Sequence, residues 1–296
     1  MGTGSSRHPR QLNLRSVTDP IIDRLLPVLM GVPGIAAIVL GGSRARGTAH
    51  QGSDYDIGLY YDPADPFEVP ALASAVARIA DEGDAVELTP IGGWGPWING
   101  GAWITVAGSA VDLLYRDLAA VNAVVDAAQR GEFTMAYQAG HPHVFASTIW
   151  MGEAAVAVPL HDPAGAFAAL QSRVLPYPEA LRRALVERFA WEARFALANA
   201  RKALERQDAT YVAGCAFRAL SSLAQVLFAL NRRYLINEKG AFSEAATLPS
   251  TLSGLESDVR DMWRRIGDGE LEAALNRLDV LLEAQEKLAS TMMSSR

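Results

Sequence analysis

The chain has 296 residues, half of them apolar, and carries 33 acidic against 27 basic side chains for a formal net charge of −6. That length can bury a substantial core in one large or two modest domains, and the acidic balance argues against tight, non-specific binding of nucleic acid through a basic surface. No stretch approaches twenty apolar residues without a charge, so no membrane span is expected, and the single cysteine, Cys215, cannot form an internal disulfide, reads as a small core residue and fits a reducing cytoplasm.

Residues 1–17 read as a disordered tail: Met1 to Gln11 is small, polar and basic, and lacks the apolar centre of a signal peptide. Asp19-Pro20 is a helix start, with Asp19 as cap and Ile21, Ile22, Leu25, Leu26 and Leu29 on the apolar side through about Met30. The run Ile38-Val39-Leu40 is expected as a strand covered on both faces. Gly41 and Gly42 then turn the chain and leave amide groups uncovered, and Ser43 can cap a following helical turn and offer its hydroxyl to an anion. A second strand opens with Asp54 and Asp56, which at a period of two share one face, about 6–7 Å apart. Two carboxylates so placed repel each other unless a cation sits between them. An anion cradle facing an acidic pair suggests a site for a polyphosphate and magnesium.

Further along, Ala71–Ile79 is expected as a helix, Val86–Ile91 as a strand, and the glycine- and proline-rich stretch 92–101 as a loop bearing Trp94 and Trp97. Strands at Ala102–Val106 and Ala110–Tyr115 form a hairpin that carries Asp112, and a helix capped by Asp117 runs to about Gln129. Residues 145–158 are expected as a helix leading into a short strand at Val156–Leu160. From Pro178, apolar residues at spacings of three and four mark long helices, with Leu181, Leu185 and Phe189 on the first, Val212, Ala216 and Leu223 on the second, and Leu271, Leu275 and Leu278 on the third. This is the pattern of an antiparallel helical bundle.

Gly-Ser followed after ten residues by Asp-x-Asp, here Gly42, Ser43, Asp54 and Asp56, resembles the nucleotidyltransferases of the DNA polymerase beta-like superfamily, whose third carboxylate on a later strand would be Asp112. The resemblance covers about residues 18–120. It implies an α+β fold: a nucleotidyltransferase domain with a mixed sheet and flanking helices at 18–140, a connecting segment at 141–177, and a helical domain at 178–296. It also implies magnesium-dependent transfer of a nucleoside monophosphate, AMP from ATP or another NTP, to a hydroxyl of a small molecule, with an aminoglycoside-type antibiotic as the leading acceptor. Adenylylation of a protein or RNA, or a non-catalytic nucleotide-binding module, are the alternatives.

In that reading two magnesium ions lie on Asp54, Asp56 and Asp112, and Asp112 takes the acceptor's proton. Gly42, Ser43, Arg44 and Arg46 hold the outer phosphates, one of the two arginines pointing to solvent. Lys239, one of only three lysines, is the candidate closing from the helical domain, with Lys202 and Tyr211 as the other options. Trp94, Trp97 and Trp103 either line an acceptor or base pocket or pack the loop onto the sheet, and Glu87 is a weaker candidate base. Glu192 and Arg218 face an interdomain cleft or form a structural ion pair. His141 and His143 read as part of a loop, since no third ligand accompanies them.

Residues 1–120 hold 8 Arg and no Lys against 13 acids. That local excess suits magnesium and a cationic acceptor. Neither a membrane nor strong nucleic-acid binding is expected, and monomer and homodimer are both open.

Overall fold

The computed structural model describes residues 19–294; the expected tail at 1–17 lies outside them. Helix α1 (Pro20–Met30) starts as anticipated, with the Asp19 carboxylate accepting from the amides of Ile21 and Ile22. It leads into β1 (Ile35–Leu40), the single turn α2 (Gly42–Ala45), β2 (Tyr55–Tyr61) and α3 (Val69–Val76). After the short α4 (Gly95–Ile98) come β3 (Gly101–Val106), β4 (Ser109–Asp117) and α5 (Leu118–Gln129), which Asp117 caps through the Ala120 amide.

The expected strand at Val86–Ile91 is not one. The stretch meets β3 at Thr89, whose amide and hydroxyl both donate to the Gly101 carbonyl and whose hydroxyl accepts from the Gly101 amide. Pro90, lacking an N–H, then ends any continuation.

The connecting region contributes to the same sheet. A two-residue ribbon, β5 (Met135–Ala136) with β6 (Phe145–Ala146), precedes α6 (Thr148–Val156) and β7 (Val158–His161). The five-stranded sheet runs β3-β4-β2-β1-β7; β2 and β4 are parallel and the other neighbours antiparallel. It is a mixed sheet, as expected.

Alternation along each strand sends two sets of side chains to opposite faces. Ile38, Leu40, Ile57, Leu59, Val111, Leu113 and Tyr115 pack with α1 and α3 in one core. Ala37, Val39 and Tyr60 pack on the other face with α5, α6, α7 (Ala166–Val174) and α8 (Glu179–Lys202) in a second core.

A third core is built from α8, α9 (Ala209–Leu230), α10 (Ala241–Ala245), α11 (Leu255–Gly267) and α12 (Leu271–Ser294), with Leu235, Leu248 and Leu252 from the connecting loops. The periodic faces are helical as expected but divide between cores: Ala193, Leu197 and Ala200, Val212 to Leu223, and Leu271 to Leu282 form this one, while Leu181, Leu185, Phe189, Val226 and Leu230 turn into the second; Leu204 lies in the turn after α8. By length and composition α9 could cross a membrane, but here it is the central helix of the bundle, buried from Leu220 to Leu230. Cys215 is partly buried against this third core.

Candidate functional site

Two of the three acids are set side by side on one face of the sheet by register. Asp56 on β2 stands opposite Asp112 on β4, and Asp112 opposite Trp103 on β3. Side chains directly opposite in paired strands share a face, so Asp56, Asp112 and Trp103 form a row across three strands. Asp54 immediately precedes β2 and is exposed.

The row is charged against its own interest. Burial, then Asp54, Asp112 and Glu153, push the Asp56 carboxyl up to about 6, with Arg46 opposing. Burial and then Asp54 raise Asp112 to about 6 as well. Neither carboxylate has a hydrogen-bonding or ion-pair partner among the described side chains.

The turn beneath Asp56 needs glycine. Gly42 has φ +58°, and a Cβ there would lie 1.6 Å from Asp56 Oδ2. The Gly41 amide donates to the Asp56 carbonyl at 2.7 Å, tying turn to strand. Ser43 does not cap this turn: Gly41 occupies the cap position and Ser43 is its second residue. The Gly42 and Ser43 amides make no hydrogen bond to other described residues.

The two arginines divide. Arg44 is engaged locally: Nε donates to the Asp54 carbonyl at 3.0 Å, Nη2 to the Ser53 carbonyl at 2.6 Å, and the guanidinium lies 3.6 Å over the Tyr55 ring. It holds the strand entrance that presents Asp54 and Asp56. Arg46 stays close enough to favour the charged form of Asp56 and reaches Glu244 of α10 at 3.2 Å. This contact brings the helical bundle to the Gly-Ser turn. Lys239 is exposed in the loop just before α10. Lys202 and Tyr211 lie at the junction of α8 and α9 instead.

The tryptophans divide too. Trp97 packs against Phe145 and Trp150, and its carbonyl accepts from Trp150 Nε1 at 2.9 Å. Trp94 stacks on Trp103 with centroids 4.5 Å apart. Glu87 is exposed.

Two features escaped the sequence reading. Arg116, on the Asp112 face of β4 and buried, makes a two-pronged pair with Glu153 of α6 at 2.8 and 2.9 Å and donates to the Ile98 and Tyr115 carbonyls. Glu153 in turn raises Asp56. An Arg in a strand and a Glu in an apolar helix were the only signals, and neither pairs without the fold.

The second is a junction of the His141–Val144 loop with the bundle. Glu238 accepts from the amides of His143 and Val144 and contacts His141 Nδ1 at 3.3 Å. Burial raises its carboxyl, but the bonds from His141, its own backbone and Val144 prevail and lower it. Glu192, buried on α8, lies 2.7 Å from Arg218 and 3.1 Å from Arg188, with His143 Nε2 at 3.6 Å. His143 first, then Arg218 and Arg188, hold it below the ordinary carboxylate range against burial. The Glu192–Arg218 pair is thus structural.

Among the described residues no three His, Cys, Asp or Glu side chains already converge as a metal cage. What fits a hard cation is the chemistry: an oxygen-only set in which burial first, and then neighbouring acids, disfavour charge on Asp56 and Asp112, with Arg46 opposing at Asp56.

Residues 27–88 match the nucleotidyltransferase domain family, and residues 151–239 match a domain of unknown function, DUF4037. No curated protein matches the chain. Among solved structures, the nucleotidyltransferase-like protein from Exiguobacterium sibiricum 255-15 is similar at 11% identity and a TM-score of 0.42, covering 93% of this chain and 77% of that one. The matched residues 27–88 hold Gly42, Ser43, Asp54 and Asp56, so this stretch of the chain is similar to the nucleotidyltransferase domain family.

Proposed function

We propose that the protein moves AMP from ATP to a hydroxyl of a small, cationic acceptor of the aminoglycoside antibiotic type, with magnesium on Asp54, Asp56 and Asp112, in the cytoplasm. The observation that carries this reading is the register that sets Asp56 opposite Asp112 beside a turn only Gly42 can make.

The acceptor oxygen forms a bond to the α-phosphorus as the bond from that phosphorus to the bridging oxygen breaks, and pyrophosphate leaves. Asp112, opposite Asp56 in the ladder and one strand further from the Gly42 turn, takes the hydroxyl proton. The free amides of Gly42 and Ser43 hold the outer phosphates, aided by Arg46, and Lys239 closes on them from the loop before α10. When bound, magnesium would neutralise the triphosphate and clamp the entering and leaving oxygens.

Pyrophosphate release is the test, with ATP, magnesium and a panel of cationic, hydroxyl-bearing acceptors. Acceptor-dependent release that falls a hundredfold or more in Asp112→Asn is the expected outcome. ATP binding without release for any acceptor would leave a nucleotide-binding module in its place.

A further inference from the structure

The row of acids ends in an aromatic surface that the fold itself does not use. Trp103 is 69% exposed, although it lies directly across the ladder from Asp112. Its inner face is stacked on Trp94, and Trp94 in turn lies over Gly101, where a Cβ would come within 2.9 Å of its ring. Gly101 and Trp103 are two apart on β3 and so share a face. The indole is therefore held from behind and open in front. Burying that ring would contribute favourably to folding, and Trp97 on α4 shows how: it packs, partly buried, against the second core.

Position along the row says which substrate meets it. The Gly42 turn touches Asp56 at one end, Asp112 stands one strand further, and Trp103 one strand beyond that, about 10 Å from Asp56 at two strand spacings. Phosphates held at the turn thus leave Trp103 on the far side of the proposed base. Charge says what kind of group. An indole face attracts cations, the neighbours along the row are carboxylates, and among the described residues the cation–ring contacts are made at Tyr55 and Trp191, not at Trp103.

We propose that the open face of Trp103, backed by Trp94, is the acceptor subsite and seats a cationic group of the acceptor, leaving its hydroxyl at Asp112. This rests on the transfer reaction proposed above for the role of Asp112, but the cation seat itself is testable without turnover.

The probe is choline, a hydroxyl-bearing quaternary ammonium, against its neutral carbon analogue 3,3-dimethylbutan-1-ol. Protein labelled with 5-fluorotryptophan gives one ¹⁹F signal per indole, and Trp103→Leu identifies the signal from residue 103. Saturable shifts of the Trp103 and Trp94 signals with choline, at least tenfold weaker with the neutral analogue, are expected. The Trp94 response should vanish in Trp103→Leu, which keeps apolar bulk, and survive in Trp103→Phe, which keeps a ring. Equal responses to both probes, or a Trp94 response that persists in Trp103→Leu, would overturn the proposal. So would a Trp103→Leu variant that loses magnesium-dependent thermal stabilisation by ATP, since the ring would then seat the nucleotide base. A wild-type chain that responds to choline but is not stabilised by ATP would sustain the cation seat and count against the transfer reaction instead.

Discussion

Asp56 illustrates a residue placed against stability. Its carboxyl is raised to about 6, so the folded chain holds its proton more tightly than the unfolded chain, where an Asp titrates near 4. Between those pH values the folded state binds more protons, and stability therefore falls as pH rises. Asp56→Asn removes the charge and loses no side-chain hydrogen bond. Without metal, its melting temperature should match wild type near pH 4 and exceed it increasingly up to about pH 7, while transfer activity falls a hundredfold or more. A variant less stable than wild type at pH 7 would contradict the account of the row. Gly42→Ala should act in the opposite direction. The positive φ alone costs about 1 kcal/mol, and the new methyl displaces the Asp56 carboxylate, so denaturant unfolding should show a loss of at least that size alongside weaker nucleotide binding.

At the scale of elements, what the sequence made legible was periodic. The apolar faces of 181–200, 212–230 and 271–282, the Asp19 and Asp117 caps, and the paired strands around Asp112 are local patterns, and the structure has them. Helix α11 went unread because Leu255, Val259 and Met262 are spread thinly among charges, although their spacing is helical. The stretch 86–91 had strand composition, but its bonding to β3 is confined to Thr89, and Pro90 lacks the N–H to extend it.

The candidate site divides the same way. Gly42, Ser43, Asp54 and Asp56 sit within fifteen residues and could be read together, whereas the hold of Arg44 on the Ser53 and Asp54 carbonyls could not, since no sequence pattern displays backbone partners. The Glu192 junction is a purely tertiary object joining α8, α9 and the His141–Val144 loop. Glu192→Ala leaves the buried His143 without its acceptor, while Arg188 and Arg218 remain partly solvated, and equilibrium unfolding should register a loss of about 1–3 kcal/mol. The exposed Arg46–Glu244 bridge lies at the other extreme: Glu244→Ala should cost under about 1 kcal/mol.

At the scale of the molecule, sheet and bundle are interlocked. The strand β7 returns from beyond the α5 helix to pair with β1, α8 packs in the second and the third core, and α10 meets the Gly-Ser turn through Glu244. A ligand bound at the turn therefore touches parts of the chain separated by about two hundred positions, and its binding should stabilise the whole. Thermal unfolding with each of the four NTPs, with and without magnesium, for wild type and Asp54→Asn/Asp56→Asn, measures this most directly. Stabilisation by one NTP, about 2.7 kcal/mol at a hundred times its dissociation constant, that requires both magnesium and the two acids is the predicted result. Stabilisation that persists without the acids, or none with any NTP, would contradict it.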